Sequence, residues 1–399
     1  MVTPVYLADN FKEDVDSIIE TTYRFLLNNG DEDWIQSVYA MREVNSWEYI
    51  HSILKRVVPI AHIIGTDGEI PNARIQLDFM NFVQRYSKLG TMHLWDETRL
   101  MAMGRAIRDA SGDGQAMANA ISEFFMAPQG EMIEKLMDTA RYLTLQQLFT
   151  LQVDYTDPRT EAKVELDFQS LANTTLWPAA LTGAALWDQR ATADGLTNLD
   201  DHLELYYRVN RRYPQEITMH YSLLMHLLNQ ESTENFISES LDVSVVNLGN
   251  SNRSGQRLAL LNNILQQAPM RNGQMYPMIR TYERVFPIQT NATDIELVEG
   301  VPLDRYCFVD RQPRRVITEN GMGNEQIMGI GLWGPNIESA LNGAGNSELD
   351  PLQVLNNVQS GPFAWTELVS SSSFASNAVG NYVPIPFDVD SYGGRKVIA

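Results

Sequence analysis

The chain has 399 residues, 44% of them hydrophobic, with a formal net charge of −20 and a single cysteine. That length can bury a sizeable core and leaves room for more than one domain. The charge excludes a protein that grips nucleic acid through its phosphates, which takes cations to displace condensed counterions. The lone Cys307 excludes an intramolecular disulfide and points to a reducing compartment.

The opening stretch, MVTPVYLADNFKEDVD, lacks the basic region and apolar run of a secretory signal. No stretch reaches the ~18 consecutive apolar residues of a membrane span. These features predict a soluble intracellular protein with no membrane partner. Residues 9–28 read as an amphipathic helix, with Phe11, Val15, Ile18, Ile19, Phe25 and Leu26 at helical spacing. The run Asn28 to Asp33 ends it.

Two β-rich runs, Val57–Ile64 and Ile70–Phe82, flank Gly65-Thr66-Asp67-Gly68. Asp-Gly is a strong hairpin signal because a type I′ turn needs positive φ at both central residues. The preceding WEYIHSILKRV does not read as a strand. A two-stranded hairpin is marginal alone in water, so this one needs a second surface, from its own chain or from a neighbouring copy.

Helices are predicted over Asp96–Arg108, Gln115–Met126 and Glu131–Phe149, the second stopped by Pro128 and Gly130. Ile133, Leu136, Met137, Ala140, Leu143 and Leu148 line one side of the third. Strands Thr150–Tyr155 and Ala162–Phe168 flank the turn Asp157-Pro158-Arg159-Thr160. Thr197 to Asp200 reads as a capping box, and Pro214 breaks the helix it starts. EITMH reads as a strand, YSLLMHLLNQESTENFI as a helix, and SGQRLALLNNILQQ as a helix capped by Ser254. MYPMIRTYERVF and LDRYCFVD read as strands. Residues 320–360 are rich in Gly, Asn and Ser and read mainly as loop with short ordered pieces. GPFAWTELVSSSSFASNAVGNYVPIPFDVD gives one or two closing strands. The class is mixed α+β, not alternating βαβ.

Gly329-Ile-Gly331-Leu-Trp-Gly334 spells G-x-G-x-x-G, but a dinucleotide site needs a strand before it, a helix after it and an acid about 20 residues on. Pro335 follows at once, so the glycines are read as a tight strand exit beside Trp333. The six histidines (His51, His62, His93, His202, His220 and His226) show no i, i+4 zinc spacing and read as structural. No P-loop, nucleophile elbow or EF-hand spacing is present. Asp154, Asp157, Glu161, Glu165 and Asp167 cluster on the second hairpin and read as a solvated face. Cys307, in the alternating DRYCFVD, reads as a small buried hydrophobe. No catalytic residue, cofactor or metal is predicted.

The order of these segments resembles the major capsid proteins of tailed bacteriophages, in the lambda-like branch with its E-type proteins. VPIAHIIGTDGEIPNARIQLDF sits where that family has its extended loop. LFTLQVDYTDPRTEAKVELDF is similar to its transition out of a long spine helix. LWDQRATADGLTNLDDHLELYYRVNRRYPQEITMHYSLLMHLLNQ, PMIRTYERVF, GIGLWGPNIE and NYVPIPFDVDSYGGRKVIA resemble later tracts in the same order.

The resemblance implies four parts: an N-terminal arm (1–52), an extended hairpin loop (53–92), a discontinuous peripheral domain with the spine helix (93–170 and 352–399), and an axial domain (171–351). It implies a non-enzymatic shell protein, assembled in the host cytoplasm from hexamers and pentamers and residing in the virion. Scaffolding, portal and decoration proteins are its expected partners, and the shell encloses double-stranded DNA without sequence-specific binding. Thr66, Asp67, Gly68, Glu69 and Arg74 at the hairpin tip are the expected inter-subunit contacts. Other readings of the same residues are an encapsulin-like nanocompartment shell, an acidic cytosolic enzyme with an unrecognised site, and a phage tail or connector component.

Overall fold

The computed structural model describes residues 34–43, 48–57, 76–85, 87–95, 101–102, 105–106, 108–109, 114–241, 254–267, 270–290, 294–311, 314–318, 321–325, 327–334, 354–360, 363–369 and 374–399. The helix expected over 9–28 lies outside them. So does most of Asp96–Arg108, whose described residues are helical.

A short helix α1 (Trp34–Val38) runs into strand β1 (Tyr39–Glu43), followed by β2 (Glu48–Val57), β3 (Gln76–Arg85) and β4 (Ser87–Trp95). Helix α2 spans Gly114–Thr150 and leads to β5 (Gln152–Thr156) and β6 (Lys163–Asp167). Next come α3 (Gly195–Asn210), β7 (Glu216–Met219), α4 (Tyr221–Leu228), α5 (Glu231–Leu241) and α6 (Ser254–Gln267). Strands then dominate: β8 (Met278–Thr281), β9 (Val285–Gln289), β10 (Ile295–Glu299), β11 (Arg305–Val309), β12 (Arg314–Thr318) and β13 (Gly321–Glu325). The last are β14 (Gly329–Gly334), β15 (Val354–Ser360), β16 (Phe363–Val369), β17 (Phe374–Pro386) and β18 (Gly393–Lys396). The architecture is α+β, as expected.

A six-stranded sheet has the order β1-β14-β17-β16-β15, with β4 also paired to β17, and a four-stranded sheet has the order β18-β11-β7-β8. The pairs β2–β3, β5–β6, β9–β10 and β12–β13 stand as separate two-stranded ribbons. One apolar core joins α2 to the larger sheet through Ile133, Met137, Leu148, Leu332, Trp333 and Tyr382. A second gathers Leu203, Tyr206, Ile217, Leu224, Leu261 and Phe308 around the smaller sheet.

The expected apolar side of α2 is its packing face: Ile133, Leu136, Met137, Ala140, Leu143 and Leu148 are all buried. The helix does not stop at Pro128 or Gly130; it is continuous for 37 residues, about 55 Å at 1.5 Å per residue. Proline in a helix interior removes one hydrogen bond and costs about 3 kcal/mol. Extending a helix already nucleated and anchored by its packed second half is far cheaper than starting a new one.

WEYIHSILKRV also departs from expectation, since Glu48–Val57 is a strand. Its apolar residues at 49, 50, 53, 54 and 57 mimic helical spacing, but pairing with β3 decides the conformation, as tertiary context commonly does. The short ordered pieces expected within residues 320–360 are strands β13, β14 and β15.

The capping box is displaced by three residues. Asp194 is the N-cap of α3, its carboxylate accepting from Thr197 N at 3.2 Å and from Thr197 Oγ1 at 2.8 Å. The helix ends with Arg211 in the left-handed region at φ 59°, before Pro214. The single helix expected after β7 is two, broken at Asn229–Gln230. There the buried Gln230 accepts from Gly195 N at 2.7 Å and donates to the Trp187 carbonyl at 3.3 Å.

Replacing Asp194 with Ala removes the cap and is expected to cost about 1 kcal/mol. Thr197→Val keeps the backbone donor and is expected to cost less. Chemical denaturation of both variants checks the assignment, and the reverse order would restore Thr197 as the cap.

Candidate functional site

The ribbon β2–β3 is the element that the expected contact site rests on. Its strands are ten residues each and pair in unbroken antiparallel register from Glu48↔Arg85 to Val57↔Gln76. The register sets Ile50 opposite Val83, Ile53 opposite Met80 and Leu54 opposite Phe79. Among the described residues no other strand pairs with either edge. The pairing begins earlier than Val57–Ile64 with Ile70–Phe82, the runs expected from sequence. Thr66, Asp67, Gly68, Glu69 and Arg74, the expected tip contacts, lie outside the described residues.

A second ribbon presents apolar surface that the sequence reading missed. In β9–β10 the register sets Pro287 opposite Leu297 and Gln289 opposite Ile295, so Val285, Pro287, Ile295 and Leu297 share one face. Ile295 is 67% exposed, Leu297 70% and Val285 45%. The other face carries Phe286, which is buried against the first core and meets Tyr142 edge-on at 5.5 Å. Alternation in VFPIQ and IELVE was the available signal, but period two does not say which face is covered.

The remaining chemical motifs take structural places. The G-x-G-x-x-G segment is strand β14, buried throughout between β1 and β17. It is a strand interior rather than the tight exit expected. A Cβ at Gly329 would stand 2.6 Å from the Ile385 carbonyl oxygen, and one at Gly331 would stand 2.2 Å from the Tyr382 hydroxyl. The glycines make room for tyrosine and backbone.

His202 is buried between α3 and the smaller sheet, with Nδ1 2.8 Å from the Tyr306 hydroxyl and Nε2 3.0 Å from the Leu176 carbonyl. A carbonyl only accepts, so Nε2 carries the proton and Nδ1 accepts from tyrosine. Burial pushes its pKa down to about 4. His220 caps α4 by accepting from Ser222 N at 3.0 Å, while its Nε2 faces Glu283 and Glu299 at 3.5 and 3.6 Å. His226 lies within α4. Among the described residues no cluster of three or more His, Cys, Asp or Glu is placed to hold a metal ion.

The acids of the β5–β6 hairpin sit at its surface, and Lys163 bridges Asp154 at 3.3 Å and Glu165 at 3.0 Å. Asp157 Oδ1 accepts from Arg159 N at 2.9 Å and Thr160 N at 2.7 Å, the local bonding expected of that turn. Cys307 is buried, and burial raises its thiol pKa. Among the described residues no helix is long and apolar enough to cross a membrane.

No family model matches the chain, and no curated protein matches it. Solved structures do. A prophage protein of Escherichia coli CFT073 assigned to a capsid is 10% identical, with 95% of this chain and 99% of that one covered at a TM-score of 0.47. The capsid of Myoviridae phage XM1 is 11% identical, with 92% and 91% covered at a TM-score of 0.37. A virus-like particle from Pyrococcus furiosus is 9% identical, with 95% and 98% covered at a TM-score of 0.36.

Two measurements check these placements. Gly331→Ala drives a methyl into the Tyr382 hydroxyl and is expected to destabilise by about 1–3 kcal/mol, with no cofactor dependence. The His202 pKa is lowered on folding, so its contribution is complete above the unfolded value and is lost as pH falls from about 6.5 toward 4. That loss reaches about 3 kcal/mol. Denaturation midpoints across this window should show a shallower slope for His202→Gln than for the native chain.

Proposed function

We propose that this chain is a major capsid protein of a tailed phage, of the lambda-like branch, which assembles through many copies into an icosahedral shell around double-stranded DNA. The observation that carries the reading is the β2–β3 ribbon, whose two long strands pair only with each other among the described residues. A two-stranded ribbon is marginally stable in water. Its order is accounted for when it lies on a sibling subunit, and a closed shell repeats that contact at every position. The exposed face of β9–β10 supports the same reading, since contiguous apolar surface marks an interaction site.

In this reading hexamers and pentamers form the shell in the host cytoplasm, with scaffolding, portal and decoration proteins as partners, and the product resides in the virion. The chain performs no catalysis and needs no cofactor. Residues 1–52 serve as an arm, 53–92 as the extended loop, 93–170 with 352–399 as the peripheral domain, and 171–351 as the axial domain. The net charge of −20 suits a wall that does not adhere to packed DNA, because cationic walls would hold the phosphate backbone.

Negative-stain microscopy and light scattering of the expressed chain test the proposal. Closed shells, or hexameric and pentameric rings, are the expected products, and nucleic acid rather than enzyme as the shell's content separates a capsid from an encapsulin-like compartment. A small discrete oligomer that turns over a substrate would overturn it. Gly68→Val puts a β-branched residue in the type I′ turn expected at Asp67-Gly68, where positive φ would cost it roughly 1–2 kcal/mol on docking against a neighbour. Particle yield is expected to fall about tenfold while the melting of the unassembled subunit stays unchanged.

A further inference from the structure

Strand β8 ends the four-stranded sheet, with β7 on one side and no strand on the other among the described residues. Its pairing with β7 is parallel. Met278 N donates to the Gln215 carbonyl at 3.0 Å and Tyr282 N to the Met219 carbonyl at 3.1 Å. Alternate residues of a strand turn their backbone groups to opposite edges, so Ile279 points its N–H and C=O away from the sheet. That outward pair is a ready template for another strand.

The template is occupied. Asn262, on α6 and 7% exposed, accepts from Ile279 N through Oδ1 at 2.9 Å and donates to the Ile279 carbonyl through Nδ2 at 2.8 Å. One primary amide thereby reproduces both hydrogen bonds that a neighbouring strand would make. Asparagine has the required donor and acceptor on one planar group. Leucine has similar bulk and neither.

We infer that Asn262 is an edge guard, which closes the smaller sheet against strand addition by a second copy of this chain. The need for one is visible beside it. Met278 on the same strand is 44% exposed and the nearby Met275 is 69% exposed, so an unguarded edge would be both adhesive and hydrogen-bonding. A protein present in many copies is the one most at risk from such pairing. The inference stands on the geometry of β8 and goes beyond the capsid reading: it says where copies are kept from joining.

The test uses the full chain carrying Asn262→Leu. Amide hydrogen exchange at Ile279 is expected to accelerate about tenfold or more with the loss of its acceptor. The variant is expected to associate with rising concentration into thioflavin-binding aggregates, distinct under the microscope from closed shells. Adding Met278→Lys, which sets a charge on the edge strand, should abolish that association. Association that persists with Met278→Lys means general destabilisation and overturns the inference, as does an Asn262→Leu chain that exchanges and associates like the native one. Asn262→Asp keeps the acceptor and loses the donor; it serves where the leucine variant does not fold. It should protect Ile279 N–H yet still associate, and native-like solubility there also counts against the guard. Failure of the native chain to form shells would leave all of these outcomes readable.

Discussion

Strand β11 is buried on both faces, and the two cores depend on it. Side chains of a strand alternate in direction, and here the alternation divides the molecule. Cys307 and Val309 belong to the core of the long helix and the larger sheet, while Tyr306 and Phe308 belong to the core of the smaller sheet. The backbone of β11 is flanked by β18 on one edge and β7 on the other. All four side chains from Tyr306 to Val309 are fully buried. A one-residue slip would exchange the two cores' side chains.

Polar contacts then fix what the apolar ones leave free to slide. The buried Tyr39 hydroxyl lies 2.8 Å from Gln147 Oε1 and 2.6 Å from the Tyr392 hydroxyl, and Tyr392 donates to the Met328 carbonyl at 2.9 Å. Thr144 and Tyr382 hydroxyls meet at 2.6 Å one turn away. Four distant chain segments are tied to one face of α2, and rotating the helix would strand several buried hydroxyls at about 1–3 kcal/mol each. Between the cores, Glu216 on β7 accepts from Arg311 at 2.8 and 3.0 Å and from Trp34 Nε1 at 3.2 Å. Trp34 also packs on Tyr282 at 4.8 Å, so α1 is anchored to the second sheet's surroundings.

Legibility in the sequence followed how local the deciding interaction is. The β5–β6 hairpin was readable because Asp157 bonds its own turn, and the packing face of α2 because helical spacing alone exposes it. Cys307 was readable as a buried residue from its apolar stretch DRYCFVD, although the stretch was read as alternating and its residues Tyr306 to Val309 are buried on both faces. The strands at Glu48–Val57 and Gly329–Gly334 were not, for opposite reasons. The first carries a helix-like pattern that only its partner overrules. The second carries glycines, which weaken strands in general but here admit the rings of Tyr39 and Tyr382, residues far away in sequence. The β2–β3 ribbon was legible in part: a hairpin was read from Asp67-Gly68, which lies outside the described residues, but the paired strands start earlier and end later than the runs expected, and the exposed face of β9–β10 could not be told from a covered one.

The contrast between body and ribbons carries the functional argument furthest. Tyr39, Thr144, His202 and Gln230, buried in the body, draw partners from distant segments, and the outward backbone groups at the β8 edge are filled from within by Asn262. Against that self-supplied body stand two ten-residue strands that, among the described residues, pair only with each other. Ile295 and Leu297 likewise turn to solvent beside a Phe286 that is packed away. Among the described residues, one edge is shut while two ribbons take no further strand. That pattern is what repeated, directed association demands, because specificity among identical copies requires unfavourable contacts to be blocked as well as favourable ones to be offered.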